Sequence, residues 1–149
     1  LARIGNQEFP PEQIDWSALF AEQQQLLQDL IARRSIRYTI RQDQPCSLRL
    51  SAVLAEVLVA NLLRNAVQHN IPSGTVNVVI GADGFVIANN GPDLSVPPAA
   101  LFERFAKGDP SSPSTGLGLS MVKEIADQNG LQLSYGYAAG VHTLVVRGA

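Results

Sequence analysis

From Ser51 to His69 the chain reads as a single helix that is apolar over most of its surface yet carries two asparagines four residues apart. Asn61 and Asn65 project from one helical face, with Gln68 and His69 one turn further on. Asparagine is a poor interior helix residue, because its amide competes for the backbone's own hydrogen bonds. Two of them set among Leu54, Val57, Leu58, Leu62 and Ala66 therefore mark a polar seam on a helix that otherwise needs burial. Spacing alone leaves two readings open. One is a solvated edge. The other is a pair of oxygen ligands for a magnesium–phosphate unit, since magnesium takes few protein oxygens and completes its shell with water and phosphate.

The segments around this helix alternate in period. Ahead of it, a helix capped by Asp15 or Ser17 is expected to run to about Arg34, with Leu19, Phe20, Leu26, Leu27, Leu30 and Ile31 at three- and four-residue steps. Ile36–Ile40 alternates as a half-buried strand does, and Ser47–Leu50 is a candidate short strand after Pro45. Behind it, Asn70-Ile71-Pro72-Ser73-Gly74 closes the helix, and strands Thr75–Ile80 and Phe85–Ala88 flank the turn Gly81-Ala82-Asp83-Gly84. Residues 89–116 are rich in Gly, Pro, Asn and Ser, with a short helical island near Pro98–Phe105. A third helix is expected from Gly118 to Gln128, stopped by Asn129-Gly130, and Leu131–Tyr137 with Val141–Arg147 forms a final antiparallel pair. Mixed elements with closely spaced strands predict an α+β two-layer sandwich: about five strands in a mixed sheet on three helices.

Composition narrows the function classes. With 149 residues, 46% hydrophobic and 16% charged, the chain suits one soluble globular domain. A formal charge of −2 argues against a sequence-independent grip on nucleic acid. No apolar run approaches the roughly 20 residues that span a bilayer, and no signal peptide is visible. Cys46 is the single cysteine, so it forms no internal disulfide, and no Cys/His cluster has zinc spacing. The opening residues lack a methionine and read as the start of an excised piece of a longer protein.

Two loops add candidate chemistry. Ala88-Asn89-Asn90-Gly91-Pro92-Asp93 is a strand end running into a tight loop, where Gly91 admits a flat ligand and an asparagine can hydrogen-bond it. Ser114-Thr115-Gly116-Leu117-Gly118-Leu119-Ser120 leads into a helix, so backbone N–H groups and the helix's positive end can face phosphate oxygens. It lacks the Gly-Lys-Ser/Thr of a P-loop and has no strand directly before it.

Taken in order, these segments resemble the catalytic domain of histidine kinases, within the ATPase superfamily of gyrase, mismatch-repair and heat-shock-chaperone ATPases. Asn61-Leu62-Leu63-Arg64-Asn65-Ala66 resembles the asparagine box, and Asn89–Leu94 stands where the first glycine box belongs. Phe102-Glu103-Arg104-Phe105 resembles the phenylalanine box, and Thr115–Leu119 the second glycine box. The resemblance runs from about Asp15 to Arg147, and Leu1–Asn6 resembles the tail of the helix that leaves a dimerisation and phosphoacceptor domain. It implies a catalytic domain over 15–149 behind a linker over 1–14.

What the resemblance implies can be carried over residue by residue. Asn65 would hold Mg²⁺ through its amide oxygen, and Asn61 would organise metal or phosphates. Asn89, Gly91, Gln68, His69, Phe105, Thr115, Gly116, Leu117, Gly118 and Leu119 would line the ATP site. Arg104 or Lys107 would reach the γ-phosphate, beside a mobile lid over 106–114. Gyrase-like relatives carry a water-activating glutamate where Asn61 stands; an amide is no general base, which favours transfer to a docked side chain over hydrolysis. Three departures stand out: Asn89 for the usual aspartate, Asp93 for a glycine, and Gln68 for a common lysine. They leave a degenerate nucleotide-sensing or docking module as the alternative, while a serine kinase of the anti-sigma type is disfavoured by the phenylalanine box. The implied partners are the protein's own histidine-bearing domain and a response regulator, with a homodimeric full-length protein in the bacterial inner membrane whose catalytic domain is cytoplasmic. His142 is expected to be structural or exposed, and Trp16 to lie in packing.

Overall fold

In the computed structural model, residues 2–4, 7–92, 102 and 117–148 are described. A hairpin of β1 (Ala2–Ile4) and β2 (Gln7–Phe9) precedes β3 (Glu12–Gln13), α1 (Trp16–Leu26), α2 (Gln28–Arg33) and β4 (Arg37–Gln42). β5 (Arg49–Leu50), α3 (Ala52–Gln68), β6 (Thr75–Ile80), β7 (Gly84–Asn90), α4 (Leu117–Gln128), β8 (Leu131–Ala138) and β9 (Val141–Gly148) follow. The main sheet has the order β4-β6-β7-β9-β8, with β4 and β6 parallel and the other pairs antiparallel. α3 lies over the central strand β7, between α1 above β4 and α4 beside β8. This is the expected mixed two-layer sandwich.

Strand alternation sorts the side chains between the layers. Val76, Val78 and Ile80 of β6, Phe85 and Ile87 of β7, and Leu144 and Val146 of β9 are buried on the helix side. They meet Leu54, Leu58, Leu62, Leu63 and Val67 of α3. Trp16 stacks tilted on Phe85 at 5.3 Å, Phe20 meets the same ring edge-on at 5.0 Å, and the Trp16 indole donates to the Leu48 carbonyl at 3.0 Å. Trp16 is thus a packing residue whose one polar atom is satisfied. Cys46 is buried with its sulfur 3.8 Å from the Gly84 carbonyl, and burial raises its thiol pKa, which makes it a poor nucleophile.

Three local expectations are corrected. The first helix is divided at Leu27: Leu26 is left 75% exposed while Leu27, Leu30 and Ile31 pack on the core. The strand expected over Ser47–Leu50 shrinks to Arg49–Leu50 and pairs antiparallel with β3, outside the main sheet. Near the start, Ala2–Ile4 pairs antiparallel with Gln7–Phe9 and is not the end of a helix.

Both ends of α3 are fixed. Ser51 caps its start by accepting from the Leu54 N–H at 3.1 Å. At the other end the Arg34 guanidinium donates to the Gln68 carbonyl at 3.1 Å and also to the Asn70 carbonyl. A cation there satisfies orphan carbonyls and complements the negative end of the helix.

Candidate active site

The asparagine seam of α3 runs along the helix edge that turns towards α4. Asn61 is half-buried, and its amide nitrogen donates to the Val57 carbonyl one turn back at 2.8 Å. A carbonyl only accepts, so that bond fixes which end of the amide is nitrogen and leaves the oxygen pointing outward. The oxygen faces the start of α4: a Cβ placed on Gly118 would lie 3.2 Å from Asn61 Oδ1. Glycine at 118 thus lets the first turn of α4 close on the amide. Asn65 is half-buried on the same strip, and its amide makes no hydrogen bond among the described residues.

Asn89 approaches from the sheet. It is 8% exposed near the end of β7, on the helix-facing side with Phe85 and Ile87. Its amide nitrogen donates to the Asn90 carbonyl at 2.9 Å, which fixes the other end of the amide as its acceptor. Asn90 has a different job: its amide oxygen accepts from the Thr75 N–H at 2.7 Å and the Thr75 hydroxyl at 2.9 Å, pinning β7 to β6. Gly91 was expected to admit a ligand, but protein already fills its near side. A Cβ there would lie 2.7 Å from the His69 carbonyl oxygen and 2.9 Å from the His142 ring.

Other expected site residues are placed as follows. Gln68 and His69 are half-buried at the end of α3, with the Gln68 carbonyl engaged by Arg34. Leu119 is half-buried and packs on the core, so it forms part of the wall. Leu117 is the first residue of α4. Asp93, Arg104, Phe105, Lys107, Thr115, Gly116 and the 106–114 segment lie outside the described residues. Phe102 is half-buried and meets Tyr135 edge-on at 6.1 Å.

His142 is buried rather than exposed. Its Nε2 lies 2.7 Å from the Pro92 carbonyl oxygen and its Nδ1 lies 2.8 Å from the Tyr135 hydroxyl. The carbonyl requires a proton on Nε2, so in the neutral ring Nδ1 accepts and the hydroxyl donates. Burial pushes the Tyr135 pKa up to about 12, which keeps that donor protonated at neutral pH.

The donor set suits magnesium only in a particular way. Among the described residues no group of three His, Cys, Asp or Glu side chains could hold a metal. The oxygen donors on this face are neutral amides, the kind of sparse set that leaves most of the coordination shell to water and phosphates.

The profile of the family described as histidine kinase-, DNA gyrase B-, and HSP90-like ATPase matches residues 51–146. The sensor protein QseC of Escherichia coli K12 is 41% identical over 91 residues, which cover 58% of this chain and 20% of QseC. The chain thus spans about a fifth of the length of such relatives. The solved cytoplasmic segment of QseC superposes with a TM-score of 0.70 at 23% identity, covering 100% of this chain and 83% of that one. The catalytic domain of histidine kinase ThkA, in a nucleotide-free form, gives 0.75 at 21% identity, covering 94% of each chain.

Proposed function

This chain belongs to the histidine kinase-, DNA gyrase B-, and HSP90-like ATPase family, and from that premise we propose that it binds magnesium-ATP between α3, the end of β7 and the start of α4, for transfer of the γ-phosphoryl group to a protein histidine. Among sensor histidine kinases its counterpart is the ATP-binding catalytic domain. The observation that carries the proposal is the closure of α4's first turn on Asn61, with Gly118 against the amide oxygen. That contact joins two motifs 57 residues apart, counting from 61 to 118, into one site. The N-terminal turn of α4 would offer backbone donors and positive dipole to a phosphate chain, with the Asn61 amide oxygen beside it and Asn65 one turn further along α3.

Magnesium, when bound, would neutralise phosphate charge, with Asn65 and Asn61 as its protein oxygens. Asn89 would accept from the adenine amino group through its amide oxygen. No carboxylate stands at position 61, so the site has no group there to take a proton from water. Arg104 or Lys107 would stabilise the γ-phosphate, and Phe105, Thr115 and Gly116 would complete the pocket. The acceptor histidine would lie on a separate helical domain, joined through a linker over residues 1–14. His142 is buried, so it is not placed to accept phosphate. In the whole protein we place this domain on the cytoplasmic side of a homodimeric membrane sensor, feeding a response regulator. Among the described residues no helix is long and apolar enough to cross a membrane.

Supplying the histidine-bearing helical domain in trans with γ-labelled ATP tests the reading. Acid-labile label on that domain is expected. Nucleotide binding without any transfer would instead favour a sensing or docking module, the reading that Asn89, Asp93 and Gln68 otherwise suggest.

A further inference from the structure

The ladder between β7 and β9 stops where the proposed base-binding loop begins. Asn90 pairs with Val141, and the Gly91 N–H still donates to the Gly140 carbonyl at 3.2 Å. Beyond that, β9 joins β8 through Ala139 and Gly140, both at positive φ, and among the described residues no strand pairs with the Pro92 carbonyl. A side chain takes over. His142 Nε2–H donates to the Pro92 oxygen at 2.7 Å, and the ring lies against Gly91. The ring is itself held on two sides, by the Tyr135 hydroxyl at 2.8 Å and by Tyr137, whose ring centroid is 4.5 Å away. Asn89 sits directly opposite His142 in the register, so both side chains share the helix-facing side of the sheet.

We propose that His142, oriented by Tyr135, is a positioning residue that holds the Asn89–Pro92 loop in the conformation that presents Asn89's amide oxygen to a nucleotide base. The inference rests on the reading of Asn89 as the base contact. His142 need not touch the nucleotide. It acts through Gly91 and Pro92, and its effect falls on the base end of the ligand rather than on the phosphates.

The test is calorimetric titration of ADP and ATP into the wild-type chain, His142→Met, His142→Gln and Tyr135→Phe, with the unfolding temperature of each measured without nucleotide. Glutamine carries an N–H near the position of Nε2, whereas methionine fills the space without a donor. His142→Met should weaken ADP and ATP alike by about tenfold, the scale of one lost hydrogen bond to a positioned group. His142→Gln should return within about threefold of wild type, although both variants lose the ring and unfold at similarly lowered temperatures. A purely structural histidine would make affinity follow stability in both variants, so a His142→Gln loss equal to that of His142→Met overturns the proposal. So does wild-type affinity in His142→Met. Should His142→Met not fold, Tyr135→Phe reads the same strap: an affinity loss of about threefold supports it and no loss overturns it. Failure of the wild-type chain to bind either nucleotide would overturn the underlying site assignment, a result distinct from binding that the variants leave unchanged.

Discussion

At position 89 the side-chain nitrogen is held by the Asn90 carbonyl at 2.9 Å, so rotating the amide would set two oxygens against each other. An asparagine that is chemically ambidextrous is thereby fixed with its oxygen as the free acceptor end for the proposed base contact. Asn89→Ala should weaken ADP binding about tenfold, close to 1.4 kcal/mol, as judged by calorimetry. The same fixed oxygen should favour a purine with an amino group at its 6-position, where adenine has a donor and guanine an oxygen, so ADP should bind more tightly than GDP to the wild-type chain, and the gap should narrow in the alanine variant. Asn61 and Asn65 were legible in the sequence because polar amides on a buried helix break a local rule. His142 was not. A lone histidine in an alternating strand carries no signal until the register sets it opposite Asn89 and Tyr137. Gly91 shows a subtler gap: its need for glycine is real, but it is met by the His69 carbonyl and the His142 ring.

Among the elements, α3 depends on its two ends as well as on its buried face. Ser51→Ala removes the cap on the Leu54 N–H and should cost about 1 kcal/mol in chemical denaturation. Arg34→Met keeps an apolar stem but leaves the Gln68 and Asn70 carbonyls without their cation, and should cost about 2 kcal/mol. If Arg34→Met proved neutral, the clamp would contribute nothing to the helix. The start of α3 was readable from Ser51 and the apolar spacing, whereas its Arg34 clamp was not, because the two partners lie 34 residues apart. The break at Leu27 was hidden for a related reason. Leucines at 26, 27 and 30 fit one continuous helix, and only the packed structure shows Leu26 turned outward. The strands of the main sheet were found to within a residue or two, since alternation and turns such as 81–84 are local signals. Which strand neighbours which depends on long-range burial and was not legible beyond the fold class.

At the scale of the whole molecule, one helical layer on one sheet face buries two tyrosines whose hydroxyls resist ionisation. Burial pushes Tyr135 up to about 12 from an ordinary 10.0, and raises Tyr38 as well. The unfolded chain gives up these protons more readily, so stability is fully present below pH 10 and is lost as pH rises towards 12. For Tyr135 alone that loss approaches about 2 kcal/mol by the upper end. Unfolding free energy measured across this range should fall in the wild type and fall less in Tyr135→Phe; equal slopes would contradict the burial of that hydroxyl.

Asn61 of α3 and Gly118 of α4 meet where the two helices pack, and the proposed function stands on whether magnesium-ATP binds there with Asn65 and Asn89. Titration of ATP into this chain and into Asn65→Ala, each with and without magnesium, tests it most directly. One ATP per chain is predicted, bound more tightly with magnesium, and that gain should be largely lost in Asn65→Ala. Absence of binding to the wild-type chain at millimolar magnesium-ATP, or an undiminished magnesium effect in Asn65→Ala, would contradict it.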